Sequence, residues 1–222
     1  DDIARIVQAL SREISTLHQL ALNWSQHDEA YDFAVSPTNG FVGSNMAPER
    51  LRANHVDLAY LCGTGGEVLW HFLEDPDRGH EQVSLQMFPT KELDQGHPLL
   101  GEERSGLLLT ELGPMLVSSR PILPASGAGE TRGSLILGRF LSKRVDAELS
   151  ALTRVDFDFW QLAGQEQLPP TERALLDDLT AATGAFIQAT PSGELYAYAT
   201  FPDIASRPNF LLRANIARDI VS

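Results

Sequence analysis

The chain has 222 residues, 43% hydrophobic and 21% charged, an ordinary globular composition with enough length for one large domain or two small ones. Its 17 Lys and Arg against 30 Asp and Glu leave a formal net charge of −13. Nucleic acids and anionic membrane surfaces both demand a basic face, so neither is expected as a partner. The one cysteine, Cys62, excludes an intrachain disulfide and reads as a small core residue in a strand-like run.

Residues 2–33 contain no Gly or Pro, and they predict one amphipathic helix of about nine turns. Its apolar stripe runs through Ile3, Val7, Leu10, Ile14, Leu17, Ala21, Trp24 and Tyr31, the alternating spacing of a buried helical seam. A helix this long exceeds the needs of a small core. The stretch from Ile3 to Leu17 is therefore expected to pair with its twin in a homodimer. Within "NWSQHDEAYDF" the register places Asp28 where an apolar residue belongs, between Trp24 and Tyr31.

"SPTNGFVGSN" (36–45) reads as a loop, and Pro48 opens a short helix through Ala53. "HVDLAYLC" and "EVLWHFL", joined by "GTGG" (63–66), form a hairpin. Residues 74–105 are polar and broken by Pro76, Pro89 and Pro98, a long excursion with a short helix around Lys91–Asp94. "GLLLTELGPMLVSSRPI" supplies two strands around Gly113 and Pro114, "PASGAGETRG" a loop and "GSLILGRFL" another strand. The reading to this point is α+β, one long N-terminal helix and then five strands with an insertion after the second. A short helix follows over 143–152, starting near Asp146.

The pattern then begins afresh. "RVDFDFWQL" alternates Val155, Phe157 and Phe159 with charged residues, a half-buried strand. Residues 169–183 predict a helix opened by Pro170 and closed by Gly184. "AFIQA", "ELYAYATF" and "NFLLRANI" are three more strands, with turns at Pro191-Ser192-Gly193 and at 203–208. The domains expected are 1–152, the long helix with the first sheet-forming lobe, and 153–222, a smaller α+β lobe.

Chemistry is sparse. No two of His18, His27, His55, His71, His80 and His97 stand at the i, i+4 spacing of a helical metal pair, so no metal is expected. No G-x-S-x-G elbow occurs, and the Gly-rich stretches at 63–66 and 127–133 lead into strands rather than a phosphate-binding helix. The acids of "DFD" read as a solvated sheet face. No catalytic residue and no cofactor are expected. For Asp28 two readings stand. In the first, which sequence physics favours, the end of the long helix begins there and the carboxylate bonds a loop N–H or a Tyr hydroxyl. In the second, Trp24, Asp28 and Tyr31 project into a pocket suited to a cationic or amine-bearing ligand. Arg120 and Arg139 are then the partners expected for a buried Asp28, with Asn45 and Tyr60 weaker ones.

Taken in order, "WSQHDEAYDF", the "SN" at 44–45, "VDLAYLCGTGGEVLW" and "SSRPILPASGAGETRGSLILGRFL" resemble the type-four CHASE domain, between residues 20 and 152. That family is an extracellular sensory module of bacterial and archaeal signalling receptors. The resemblance implies a Cache/PAS-like fold, the long N-terminal helix packed on a five-stranded antiparallel sheet, with 1–152 the sensor lobe and 153–222 the membrane-proximal one, and a periplasmic or extracellular location on an inner-membrane protein. It further implies flanking transmembrane helices and a cytoplasmic diguanylate cyclase, cyclic-di-GMP phosphodiesterase or histidine kinase of two-component type. Family-like positions are Trp24, Asp28, Tyr31, Asn45, Asp57, Arg120, Pro121, Gly133 and Arg139, with Pro121 and Gly133 serving the fold. The ligand-contact candidates are Trp24, Asp28, Tyr31, Asn45, Tyr60, Arg120 and Arg139, for an unidentified small molecule. The alternative is a dimerisation or protein-interaction module without a small ligand. No stretch is apolar enough to span a bilayer and no signal peptide is visible. The chain starts inside a helical pattern and stops in "ANIARDIVS", so a segment of a longer protein is expected.

Overall fold

The structure is a computed structural model that describes residues 2–38, 40–162, 168–181, 186–189 and 193–216. The chain condenses into two units, residues 13–142 and residues 1–12 with 143–222.

The stripe expected to make one helix makes two, α1 (Asp2–Ser25) and α2 (Asp28–Phe33). The break is capped from both sides. His27 is extended (φ −146°, ψ 131°) and its side chain accepts the Glu29 N–H as the N-cap of α2. The end of α1 is taken up by a later segment: the Leu123 N–H donates to the Ser25 carbonyl (3.0 Å), and Gln26 pairs with Leu123 in a parallel bridge. Along α1, Ile3, Ile6, Leu10, Leu17, Ala21 and Trp24 are buried within the chain itself, whereas Val7 and Ile14 are only half-buried. The segment expected as a loop over 36–45 holds a short helix, α3 (Phe41–Asn45), anchored by fully buried Phe41. α4 (Pro48–Ala53) starts at its proline.

The larger unit is built on an antiparallel sheet of β1 (Leu58–Cys62), β2 (Val68–Asp75), β3 (Glu81–Gln82), β4 (Arg104–Thr110), β5 (Gly113–Pro121) and β6 (Ser134–Phe140). The strand order is β3-β2-β1-β6-β5-β4. Six strands stand where five were expected. The extra one is β3, two exposed polar residues paired with Glu74 and Asp75, with no apolar alternation to announce it. Every residue of the central strands β1 and β6 is buried. Their close approach depends on glycine: a Cβ on Gly133 (φ 146°) would overlap the Cys62 carbonyl, and one on Gly138 would meet Met115 and Leu58. Asp57 ties the sheet together, its carboxylate accepting the Phe140 N–H (2.9 Å). The excursion after β2 has no helix at 91–94. There Val68 N–H donates to the Lys91 carbonyl and Leu93 N–H to the Gly66 carbonyl (both 2.8 Å), so the segment lies along the hairpin. Leu85, Phe88, Leu93 and Leu99 are buried, and they make the excursion a packed cover.

The second unit contains α5 (Lys143–Thr153), β7 (Phe157–Gln161), α6 (Pro170–Ala174), α7 (Leu176–Ala181), β8 (Phe186–Ala189), β9 (Leu195–Phe201) and β10 (Phe210–Ile216). Its antiparallel sheet runs β7-β10-β9-β8. α5 starts three residues before Asp146, at Lys143. The helix expected over 169–183 is interrupted at Leu175. Gly184, its expected stop, and the turn residues Pro191 and Ser192 lie outside the described residues. A small core forms from Leu168, Leu179, Tyr198 and Leu211.

Candidate ligand-binding site

The seven residues proposed from sequence do not converge. Asp28 is exposed at the first turn of α2, where its Oδ1 accepts the Ala125 N–H (2.8 Å). The expected buried partnership with Arg120 or Arg139 is therefore absent; the six-residue helix places this carboxylate at a solvent-facing first turn. Its neighbour Tyr31 donates from its hydroxyl to the Glu130 carbonyl (3.0 Å). Arg132 lies 3.7 Å from the centre of the Tyr31 ring and donates to the Tyr31 carbonyl (3.1 Å) and to Asp32 (3.3 Å). Asp28, Tyr31 and the segment 123–132 thus form a clasp that holds α2, with buried Trp24 one turn before the helix break.

Arg139 is buried and saturated. It pairs with Glu13 and donates to the carbonyls of His55 (2.8 Å) and Asn54 (3.1 Å). Arg120 pairs with Glu103 (2.8 Å) beside His18, whose Nδ1 lies 3.1 Å from Ser105 Oγ and 3.3 Å from Ser118 Oγ. Asn45 donates to the Phe41 carbonyl of its own helix (3.2 Å).

Tyr60 is the candidate that lines a cavity. A space of about 100 Å³ lies between β1, β2 and the excursion, walled by Tyr60, His71 and Phe72 on the sheet and Ser84, Phe88 and Thr90 on the cover. Tyr60 and His71 are directly opposed in the β1–β2 register, with ring centres 5.5 Å apart. Phe88 closes the far side, 5.4 Å from Tyr60 and 5.2 Å from His97. The Tyr60 hydroxyl donates to the Phe88 carbonyl (2.7 Å), which pins the cover to the sheet. Burial, with a smaller contribution from Cys62, pushes the Tyr60 phenol up to about 12, so it stays a neutral donor. Burial lowers the His97 imidazole below its ordinary value, against weaker opposing effects of the Met87 backbone and Asp94. His97 Nδ1 accepts the Leu99 N–H (3.2 Å) and its Nε2 has no hydrogen-bond partner. Cys62 is likewise pushed up to about 12, chiefly by burial, an inert thiol that fits its core reading. Among the described residues no three His, Cys, Asp or Glu gather to hold a metal ion.

Sequence reasoning missed His71, Ser84, Phe88 and Thr90. The hairpin register would have paired His71 with Tyr60, but nothing local marks the others, because their placement depends on how the excursion folds back.

Three known proteins frame this architecture. A methanogenesis regulatory histidine kinase, FilI of Methanothrix harundinacea, is 23% identical over 218 residues, 96% of this chain; the chain spans about 24% of that protein's length. The extracellular domain assigned to the histidine kinase vpHK1S-Z8 superposes with a TM-score of 0.63 at 12% identity, over 98% of this chain and 93% of the other. The periplasmic domain of Vibrio cholerae LuxQ superposes with a TM-score of 0.57 at 11% identity, over 98% of each chain. At such identities the likeness of structures speaks for the fold alone. The CHASE4 domain profile matches residues 9–160, more than half of the sequence, and the chain belongs to the CHASE4 domain family.

Proposed function

We propose that the chain is the extracytoplasmic sensor domain of a transmembrane signalling receptor. Its Cache/PAS-like larger unit binds a small molecule and biases the helices leading to a cytoplasmic output. The observation that carries this reading is the cavity between Tyr60 and the packed cover. It combines aromatic walls with an imidazole, an amide-bearing rim at Gln82 and the hydroxyls of Ser84 and Thr90. Such a lining suits a small polar molecule with an apolar part. The domain itself senses and does not catalyse. The likeness to a regulatory histidine kinase supports a kinase output over a cyclic-di-GMP enzyme. The full receptor carries transmembrane helices outside this segment, an arrangement that membership of the family supports; no helix described is long and apolar enough to cross a membrane. Homodimerisation runs along α1, through the face that keeps Val7 and Ile14 partly open.

The test is a thermal-shift screen of amines, amino acids and carboxylates, because a ligand of the native state raises its apparent stability. A hit should vanish in Ser84→Phe, which fills the cavity, with the unliganded melting temperature nearly unchanged. A hit that persists in Ser84→Phe places the ligand elsewhere. No hit, combined with crosslinking of Val7→Cys between subunits, favours the dimerisation module.

A further inference from the structure

A second cavity, of about 260 Å³, lies wholly within the unit formed by residues 1–12 and 143–222. Its lining comes from one face of α1 and from the end of α5. Arg5, Gln8 and Arg12 stand at spacings of three and four, so they share a face. Arg154 follows the last residue of α5 and completes a group of three guanidinium-bearing side chains. No acidic residue belongs to the lining, in a chain with 30 Asp and Glu. Buried Ala9 sits among the larger lining residues and leaves the space open, and Leu152, 66% exposed, forms an apolar lip.

Two details show how the side chains are placed. Arg5 Nη1 donates to the Thr153 carbonyl (2.9 Å), one of the carbonyls that a helix end leaves without an intrahelical partner. That bond neutralises the electronegative end of α5 where it meets the cavity, while Arg5 also pairs with Asp2 outside the lining. Arg154 is held at φ 55°, a conformation that glycine occupies at little cost and arginine does not. A guanidinium offers a planar fork of donors matched to carboxylate and phosphate oxygens, and the Gln8 amide adds further donors. The volume sits just below the roughly 300–1,000 Å³ of drug-sized pockets.

We infer that this cavity binds a small phosphate-type oxyanion through Arg5, Arg12 and Arg154. The anion is either free phosphate or the phosphoryl group of a lipid headgroup. The site is independent of the Tyr60 cavity and does not rest on the function proposed for it. The net charge of −13 makes the local exception informative: the chain as a whole repels anions, so these three guanidinium groups stand against the general field.

The experiment titrates the chain with inorganic phosphate at constant ionic strength, by calorimetry and by melting temperature. Sedimentation with vesicles of phosphatidylcholine alone or mixed with phosphatidylglycerol forms the second arm. Saturable phosphate binding identifies a free anion. Binding to phosphatidylglycerol vesicles alone identifies a headgroup. In either case Arg154→Gly should weaken binding by about tenfold or more, as loss of a charge-assisted hydrogen bond requires. The same variant should melt at or above the wild-type temperature in chloride, because glycine relieves the left-handed backbone. Arg12→Gln should weaken binding similarly, whereas Arg144→Gln, whose side chain pairs with exposed Glu148 and is not part of the lining, should not. The inference is overturned if neither arm shows binding, or if Arg154→Gly and Arg12→Gln bind as wild type does.

Discussion

The two sheets are held by different means. In the larger unit the central strands β1 and β6 are apolar and closed on both faces, and Arg139, their one buried charge, meets a carboxylate and two carbonyls. In the sheet of the smaller unit burial is confined to the central strands, at Phe210, Leu211, Leu212, Ala214, Ala197 and Tyr198, and no residue of the edge strands β7 and β8 is buried. There the organising element is ionic. Glu172 on α6 is 1% exposed; it accepts from the Tyr198 hydroxyl (2.9 Å) and from Arg213 (2.5 Å), while its second oxygen has no partner. Arg213 also pairs with Asp158 and lies 4.8 and 4.5 Å from the Trp160 and Tyr196 ring centres. Burial alone would depress its charge, but the bonds to Asp158 and then Glu172 outweigh that and hold the guanidinium firmly charged. The comparison teaches that a sheet with too little apolar area to bury recruits ion pairs, and thereby becomes intolerant of losing either member.

The largest test strikes the packed sheet. Gly133→Val forces a side chain onto the Cys62 carbonyl at a left-handed position, and should cost more than about 4 kcal/mol or prevent folding of the larger unit. Denaturant unfolding followed by Trp70 fluorescence would show it. Next, Glu172→Ala should destabilise the smaller unit by about 1.5–3 kcal/mol, because the buried Tyr198 hydroxyl loses its charged acceptor and Arg213 is left with Asp158 alone. Hydrogen exchange should then lose protection in β9 and β10 while β1 and β6 keep theirs; equal loss in both sheets would break the contrast drawn above. Tyr60→Phe, which leaves the buried Phe88 carbonyl without its donor, should cost about 1–3 kcal/mol and raise exchange in residues 83–90 before the sheet responds.

Acid should separate the units again. The His97 pKa is lowered on folding, so the unfolded chain binds the extra proton first. Stability of the larger unit is complete above the unfolded His value near pH 6.5, and falls below it by at most about 1.4 kcal/mol per pH unit. His97→Gln should flatten that slope. In the smaller unit Asp203 is also depressed: burial opposes its charge, but the N–H groups of Arg207 and Ala205 and the Arg207 side chain overcome it. Its stabilisation is present above the ordinary Asp value near pH 3.9 and is lost only as pH falls through the lower folded value. A single shared acid transition in both units, followed by exchange at each sheet, would contradict this. The smallest effect is expected at Asp28→Asn, about 0.5 kcal/mol, since an amide oxygen can still accept the Ala125 N–H.

Period-two and helical patterns made most strands and helices legible, because each reports its own burial. The hairpin of "HVDLAYLC" and "EVLWHFL" and the strands around Gly113 followed from composition alone. What escaped was whatever depends on distant partners. The end of α1 at Ser25 is decided by Leu123, nearly a hundred residues later, and no local breaker announces it. Likewise β3 exists only because Glu74 and Asp75 offer an edge. The stripe around Asp28 suggested a buried acid because a single helix was extrapolated through His27; once His27 caps a new helix, the register shifts and the carboxylate faces out. Of the cavity, Tyr60 was legible as one wall. The opposite wall belongs to a stretch read as polar filler, whose apolar residues 85, 88, 93 and 99 are too widely spaced to show a period.

That cover is hydrogen-bonded to the hairpin through its backbone: the Phe88 carbonyl takes the Tyr60 hydroxyl, and Val83 bonds Leu73, Lys91 bonds Val68 and Leu93 bonds Gly66. None of these four bonds depends on the identity of a cover side chain. With Leu85 and Phe88 kept as the buried anchors, the other residues of 83–90 can therefore be exchanged as a cassette, with Tyr60 and the strand register left in place. Such a graft would redraw one wall of the cavity without rewriting the sheet, so novelty in what the lobe recognises can accumulate there while the rest of the domain stays fixed.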